Sequence, residues 1–158
     1  MNVSEVDMKA RSYTLTVKTS KSPEFIDITE EIAECVVASG IVNGIAVVFS
    51  RHTTAAIVIQ ENEPLLIEDF KRLLEGIASS KGEYQHNDFD VRTVHMHDNE
   101  CPNGHSHCQH LTLGSSESIP VIDSVMALGE WQRVFIVELD GEKATQLEHR
   151  EIIVQILG

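Results

Sequence analysis

Apolar and polar positions alternate with period two at Tyr13, Leu15 and Val17, separated by Thr14, Thr16 and Lys18, the pattern of a half-buried strand. Phe25 and Ile28 lead into a helical spacing over residues 30–39, with Asp27 or Thr29 as cap and Gly40, free to take positive φ, as its stop. Residues 44–60, GIAVVFSRHTTAAIVIQ, are dense in β-branched side chains with one polar break at Ser50-Arg51-His52. They predict two strands, or one long bent strand, with His52 at the break. A second helix is predicted after Asn62 as cap, with Glu63 and Pro64 in its first turn and Leu65, Leu66, Phe70, Leu73, Leu74 and Ile77 at helical spacing. Residues 79–90 read as a loop. Strand-like runs return at residues 107–113, 119–122, 131–139 and 151–157, parted by Gly104, Gly114, Gly129 and Gly141. Seven or more strands with two helices make a strand-dominated α+β fold.

No repeat, low-complexity tract or Pro/Gly linker divides the 158 residues, so one domain with a single core is expected. Twelve Lys and Arg stand against twenty-five Asp and Glu, a formal net charge of -13, which disfavours a nucleic-acid partner. The opening residues lack the apolar stretch of a signal peptide, and no run approaches a membrane span, so the cytoplasm is the expected location and no membrane partner is expected. Three cysteines at 35, 101 and 108 are too few for a disulfide framework and are expected as reduced thiols.

Candidate chemistry concentrates in the histidines. Five of the eight, at 95, 97, 105, 107 and 110, fall close together, with His86 just upstream. Imidazole is the commonest biological metal ligand and titrates near neutral pH, so both metal-binding and acid/base readings stand beside that of solvated loop side chains. On a strand, His105 and His107 would share one face, as a common divalent ion requires. The Cys101/Cys108 spacing does not suit a structural zinc site. Arg51-His52-Thr53-Thr54 sets a cation, an imidazole and two hydroxyls at a bend between apolar runs, where they either bind an anion or cap backbone groups. Asp69 falls two turns into the second predicted helix, and the Gly114-Ser115-Ser116 loop offers amides and hydroxyls without the Lys of a P-loop. Trp131 is expected in a turn, packed on the core.

Seven stretches in order resemble the YjbQ family, described as secondary thiamine-phosphate synthases. They are His52-Thr53-Thr54-Ala55-Ala56; Gln60-Glu61-Asn62-Glu63 with Asp69-Phe70; Tyr84-x-His86; Asn103-Gly104-His105-Ser106-His107; Leu113-Gly114-x-Ser116 with Ile119-Pro120-Val121; Leu128-Gly129-x-Trp131-Gln132; and Glu138-Leu139-Asp140-Gly141. The resemblance implies a β-sandwich with two short helices, assembled as a homotrimer with a polar cavity near the subunit interface. The implied activity joins hydroxymethylpyrimidine diphosphate to a thiazole phosphate with release of diphosphate, as a weak and secondary activity. By the same carry-over His52, Asp69, His86, Asn103 and His107 are the catalytic candidates, and Arg51, Thr53, Thr54 and Ser116 the binders of a small anionic or phosphorylated substrate. His86, His105 and His107 are the candidate ligands of a divalent metal, Zn2+ or Mg2+.

Two departures weaken phosphate binding relative to the family. Cys108-Gln109 stands where a cation is usual, and Glu142-Lys143-Ala144-Thr145 is less basic than its counterpart. A bound divalent cation or a less anionic substrate is expected to compensate. Two alternatives accompany the transferase reading: a metal-assisted hydrolase or phosphatase-like enzyme, and a non-catalytic metabolite- or metal-binding trimer.

Overall fold

The computed structural model describes residues 8–141, 143 and 149–158. In chain order they form β1 (Ala10–Val17), β2 (Glu24–Asp27), α1 (Thr29–Ser39), β3 (Gly44–Ser50), β4 (Ala55–Gln60), α2 (Pro64–Ile77), a single 3-10 turn (Gln85–Asn87), α3 (Gly104–Leu113), β5 (Ser116–Ile122), β6 (Val125–Met126), β7 (Arg133–Glu138) and β8 (Arg150–Leu157). The strands make two antiparallel sheets, one in the order β1-β8-β3-β5-β6 and one in the order β2-β7-β4. The fold is a strand-dominated α+β sandwich, as the sequence predicts, with three α-helices rather than two among the fully described elements. No described helix is long and apolar enough to cross a membrane.

Alternation within the small sheet explains the layering. Ala55, Ile57, Val134 and Ile136 join the main core between the sheets, with Ala46, Val48, Ile152, Val154 and the α1 residues Ile32 and Val36. The intervening Ala56, Phe135 and Val137 face the other way and join a second core with Leu74 of α2 and Leu139, against which Leu113 of α3 packs. A sheet buried on both faces needs near-continuous apolar strands, and β4 and β7 supply them. Burying the second face also needs a cover, which α2 and α3 provide.

Local chemistry sets the helix ends. Asp27 Oδ1 accepts the Thr29 backbone N–H at 3.0 Å and its hydroxyl at 2.6 Å, and Gly40 ends α1 at φ 68°. Glu63, not Asn62, caps α2 by accepting the Leu65 and Leu66 N–H groups; Asn62 instead donates to Asp27. Three other expectations change. Residues 24–27, read as a lead-in to the helix, form strand β2 against β7. Residues 107–113, read as a strand, belong to α3, so His105 and His107 do not share a strand face. Trp131 lies in a turn but is 65% exposed rather than packed on the core.

Candidate functional site

At one end of the sandwich β3 of the large sheet leads to β4 of the small one through residues 51–54, and β7 of the small sheet leads back to β8 of the large one. Strands leaving a sheet lose ladder partners, so side chains must satisfy the freed backbone groups. Buried Ser50 does so at the first crossing, donating to Ala55 O at 2.6 Å while its oxygen faces the His52 N–H. Leu139 N–H donates to Thr54 O at 3.0 Å and ties the two crossings together. Beneath them Glu138 and Arg150, 0% and 3% exposed, form a two-pronged ion pair at 2.6 and 2.7 Å that spans the sheets. Glu138 Oε1 also accepts the Leu139 and Asp140 N–H groups, leaving this buried carboxylate fully engaged.

Against this corner lies an open cavity of about 340 Å³ lined by Arg51, His52, Thr53, Thr54, His86, Arg92, Glu100, Asn103, His107, Asp140, Lys143 and Arg150. It gathers His52, His86, Asn103, His107, Arg51, Thr53 and Thr54 from three separate stretches of sequence. His86 sits on the 3-10 turn and His107 in the second turn of α3, their rings edge to face with centroids 4.7 Å apart. Gly104 allows this approach. Its N–H donates to Asn87 Oδ1 at 2.9 Å, and a Cβ there would stand 2.5 Å from Tyr84 Cβ. Asn103, at the head of α3, donates to Asp140 Oδ2 at 2.7 Å, and its own Oδ1 is buried without a partner.

Both inner imidazoles are held below the usual imidazole range. For His107 the cause is burial first and the neighbouring His86 second, with Asp140 opposing. For His52 it is burial, then the Arg150 guanidinium, with Glu138 and Glu151 opposing. His52 Nε2 accepts the Glu151 backbone N–H at 3.0 Å, which fixes the ring.

Three candidates lie elsewhere. Asp69 is exposed on α2 and paired with Arg72. Ser116 begins β5 on the outer face of the large sheet, across from Phe49. His105 points away from His107, since positions two apart on a helix diverge, and lines a different hollow with Lys71, Glu75 and Gln109. The three-imidazole metal set therefore does not converge within one chain. Among the described residues no group of three or more His, Cys, Asp or Glu is placed to hold a metal ion. Of the remaining clustered histidines, His110 is half-buried with its Nε2 3.1 Å from Ser115 Oγ, and His95 and His97 are exposed.

Arg92, Glu100, Asp140, Lys143, Arg150 and, behind them, Glu138 were not singled out by the sequence. A signal existed for Arg150: it falls in phase with Ile152, Val154 and Ile156, all of which face the core. Asp140 and Glu138 lie within a matched family stretch. The missing cation at Cys108-Gln109 has a structural account, because Cys108 is exposed and Gln109 is buried under α2, donating to Leu74 O and Ala78 O. Lys143 does reach the cavity, whereas Glu142, Ala144 and Thr145 lie outside the described residues.

The chain is similar to known proteins over nearly its whole length. A UPF0047 protein of Methanothermobacter thermautotrophicus is 39% identical over 153 residues, covering 97% of this chain and 96% of the relative. One from Archaeoglobus fulgidus is 34% identical over 143 residues, covering 90% of this chain and 98% of the relative. The crystal structure of a YbjQ-like protein of unknown function from Sulfolobus solfataricus superposes with a TM-score of 0.83 at 34% identity, covering 96% of this chain and 99% of that one. A hypothetical protein from Aeropyrum pernix gives 0.79 at 33% identity, covering 94% and 98%. The family model described as UPF0047 protein YjbQ-like matches residues 13–158, and with these relatives it shows that the chain belongs to the YjbQ family.

Proposed function

We propose that the cavity binds a small phosphorylated substrate and that the protein is a transferase of the thiamine-phosphate-forming kind. One observation carries the reading: in a chain of net charge -13, four of the twelve Lys and Arg and three of the eight His line this cavity, against two of the twenty-five Asp and Glu. Such local reversal of charge favours a phosphate-bearing ligand. The chain's own cations thereby fill the role for which the sequence suggested a divalent ion, and no step is assigned to a metal.

In the reaction, the lone pair of the thiazole nitrogen forms a C–N bond to the pyrimidine methylene as the C–O bond to diphosphate breaks, and the electron pair leaves on diphosphate. Arg51, Arg92 and Lys143 stabilise the charge developing on the leaving group. His107, held below the usual imidazole range by burial, gains proton affinity when a polyanion enters, and with His86 at its edge it can protonate the departing oxygen. Fixing the two substrates in line supplies the remainder.

The test is incubation with hydroxymethylpyrimidine diphosphate and thiazole phosphate, with and without added Mg2+ or Zn2+. Thiamine phosphate and diphosphate are expected in equal amounts, and His107→Ala is expected to lose both while melting as a folded protein. Phosphate release from generic esters with no pyrimidine present would replace this reading with a hydrolase. Tight binding without turnover would replace it with a metabolite-binding protein.

A further inference from the structure

The hydrogen bonds around His52 leave a pattern that no other described residue completes. Because Nε2 accepts the Glu151 N–H, its lone pair is committed and the proton of the neutral ring sits on Nδ1. A flipped ring would turn a carbon toward that N–H, so the assignment follows from the partner. Nδ1 lies 3.5 Å from Arg150 Nη1. Both are then donors and cannot bond to one another. Arg150 Nε and Nη2 are spent on Glu138, and Nη2 also reaches Thr54 Oγ1 at 3.3 Å, so Nη1 is the arm left over. Thr54 Oγ1, accepting from Arg150, retains its own hydrogen to donate.

Three donors on the wall of one cavity, one from a guanidinium that is 3% exposed, lack a common acceptor among the described residues. Leaving such groups unsatisfied costs more than a typical hydrogen bond contributes. We propose that Arg150 Nη1–H, His52 Nδ1–H and Thr54 Oγ1–H together form a subsite for one phosphoryl oxygen of the substrate. Arg150 becomes a substrate-binding residue, and Glu138 holds its fork so that a single arm projects. The assignment rests on the reading of the cavity as a phosphate site and specifies where in it the phosphoryl group lies. It also gives His52 a donor's role, distinct from the proton transfer given to His86 and His107.

Inorganic diphosphate is the probe, titrated calorimetrically into the full chain, with nitrogen-15 spectra of the histidines recorded alongside. The free protein is expected to show His52 as the Nδ1–H tautomer, with diphosphate shifting Nδ1 and leaving Nε2 bonded to Glu151. Thr54→Val and Arg150→Lys are expected to weaken diphosphate binding about ten-fold each, the scale of one hydrogen bond to a charged group. Lys carries a single head group and cannot serve Glu138 and the ligand together. If Arg150→Lys fails to fold, Thr54→Val and the tautomer decide. An Nε2–H tautomer, or unchanged affinity in the folded variants, overturns the subsite. Should diphosphate still perturb His86 and His107 in that case, the phosphate-site reading stands without it. Conversely, binding that depends on Thr54 and Arg150 in a protein that forms no thiamine phosphate keeps the subsite and removes the transferase. A wild-type chain that binds no diphosphate overturns both.

Discussion

Glu100 occupies Arg92 much as a substrate phosphate would: Oε2 accepts from Arg92 Nη1 at 3.1 Å, and Oε1 accepts the His97 N–H at 3.2 Å. Burial pushes its carboxyl upward, but the His97 N–H, Arg92 and Lys143 outweigh that and hold it below the usual carboxylate range. It is therefore ionised at neutral pH and competes with an incoming anion for Arg92. Glu100→Gln is expected to tighten diphosphate binding about three- to ten-fold, the order of one screened charge interaction, measured by titration at fixed salt. The imidazoles make a separate prediction about stability. His52, His107 and His110 all have folded values below the unfolded one, with burial the first cause in each. Above the unfolded value, near pH 6.5, neither state is protonated and stability is full. As pH falls through that value toward the folded ones, the unfolded chain takes protons that the native chain refuses, and stability is lost, by at most about 1.4 kcal/mol per pH unit for each histidine. Thermal melts from pH 7.5 to 5.5 should show this decline, with a shallower slope in His52→Phe.

Helix α3 carries most of what the sequence could not show. Its buried face is Gly104, Ser106 and Gln109, while Leu111 is 84% exposed, so the usual apolar stripe is inverted. Hydrogen bonds replace apolar contact: Ser106 Oγ donates to Leu139 O at 2.6 Å, and Gln109 donates to the end of α2. A reading based on hydrophobic period therefore finds a strand where the chain forms a helix. The same reading succeeds at β1, β4, β7 and β8, whose apolar side chains do the packing. Site residues followed a similar division. Those within short family stretches, such as His52, His86 and His107, were legible; Arg92 and Glu100, on a loop with no local pattern, were not. Gly104 tests whether α3 is what brings His86 and His107 together. Gly104→Ala drives a methyl into Tyr84 and against Asn87 Oδ1, and the 3-10 turn carrying His86 must give way. The expected result is a loss of about 1–3 kcal/mol in stability. Loss of the cross-relaxation between the two imidazole rings should accompany it. A variant that keeps the ring contact would show that the turn is positioned by something other than α3.

At the scale of the molecule, the large sheet has an apolar face that no described element covers. Ile45, Val47 and Phe49 point outward from β3, in register with Leu157, Gln155 and Ile153 of β8 and with Pro120, Ser118 and Ser116 of β5. Phe49 is 42% exposed. The uninterrupted apolar run of β3 is the sequence-level trace of this face, because a strand with water on one side would alternate. Nothing in the periodicity counts copies, and the homotrimer expected from the family resemblance is our proposal for what covers the face. Arg51 links the two regions, lining both the cavity and the hollow over Phe49 and Ile153. Covering that hollow would limit Arg51's freedom and place a neighbour beside the mouth of the cavity, where Ser116 of β5 also lies near Phe49. Phe49→Glu should therefore act on assembly and site together while leaving the fold of each chain intact, since the side chain contributes little to either core. Sedimentation is expected to give the mass of three chains for the wild type and of one for the variant, with diphosphate binding weakened in parallel. A variant that sediments as one chain yet binds diphosphate as before would place the complete site within a single subunit. A wild type that is already a single chain would require some other partner for this face.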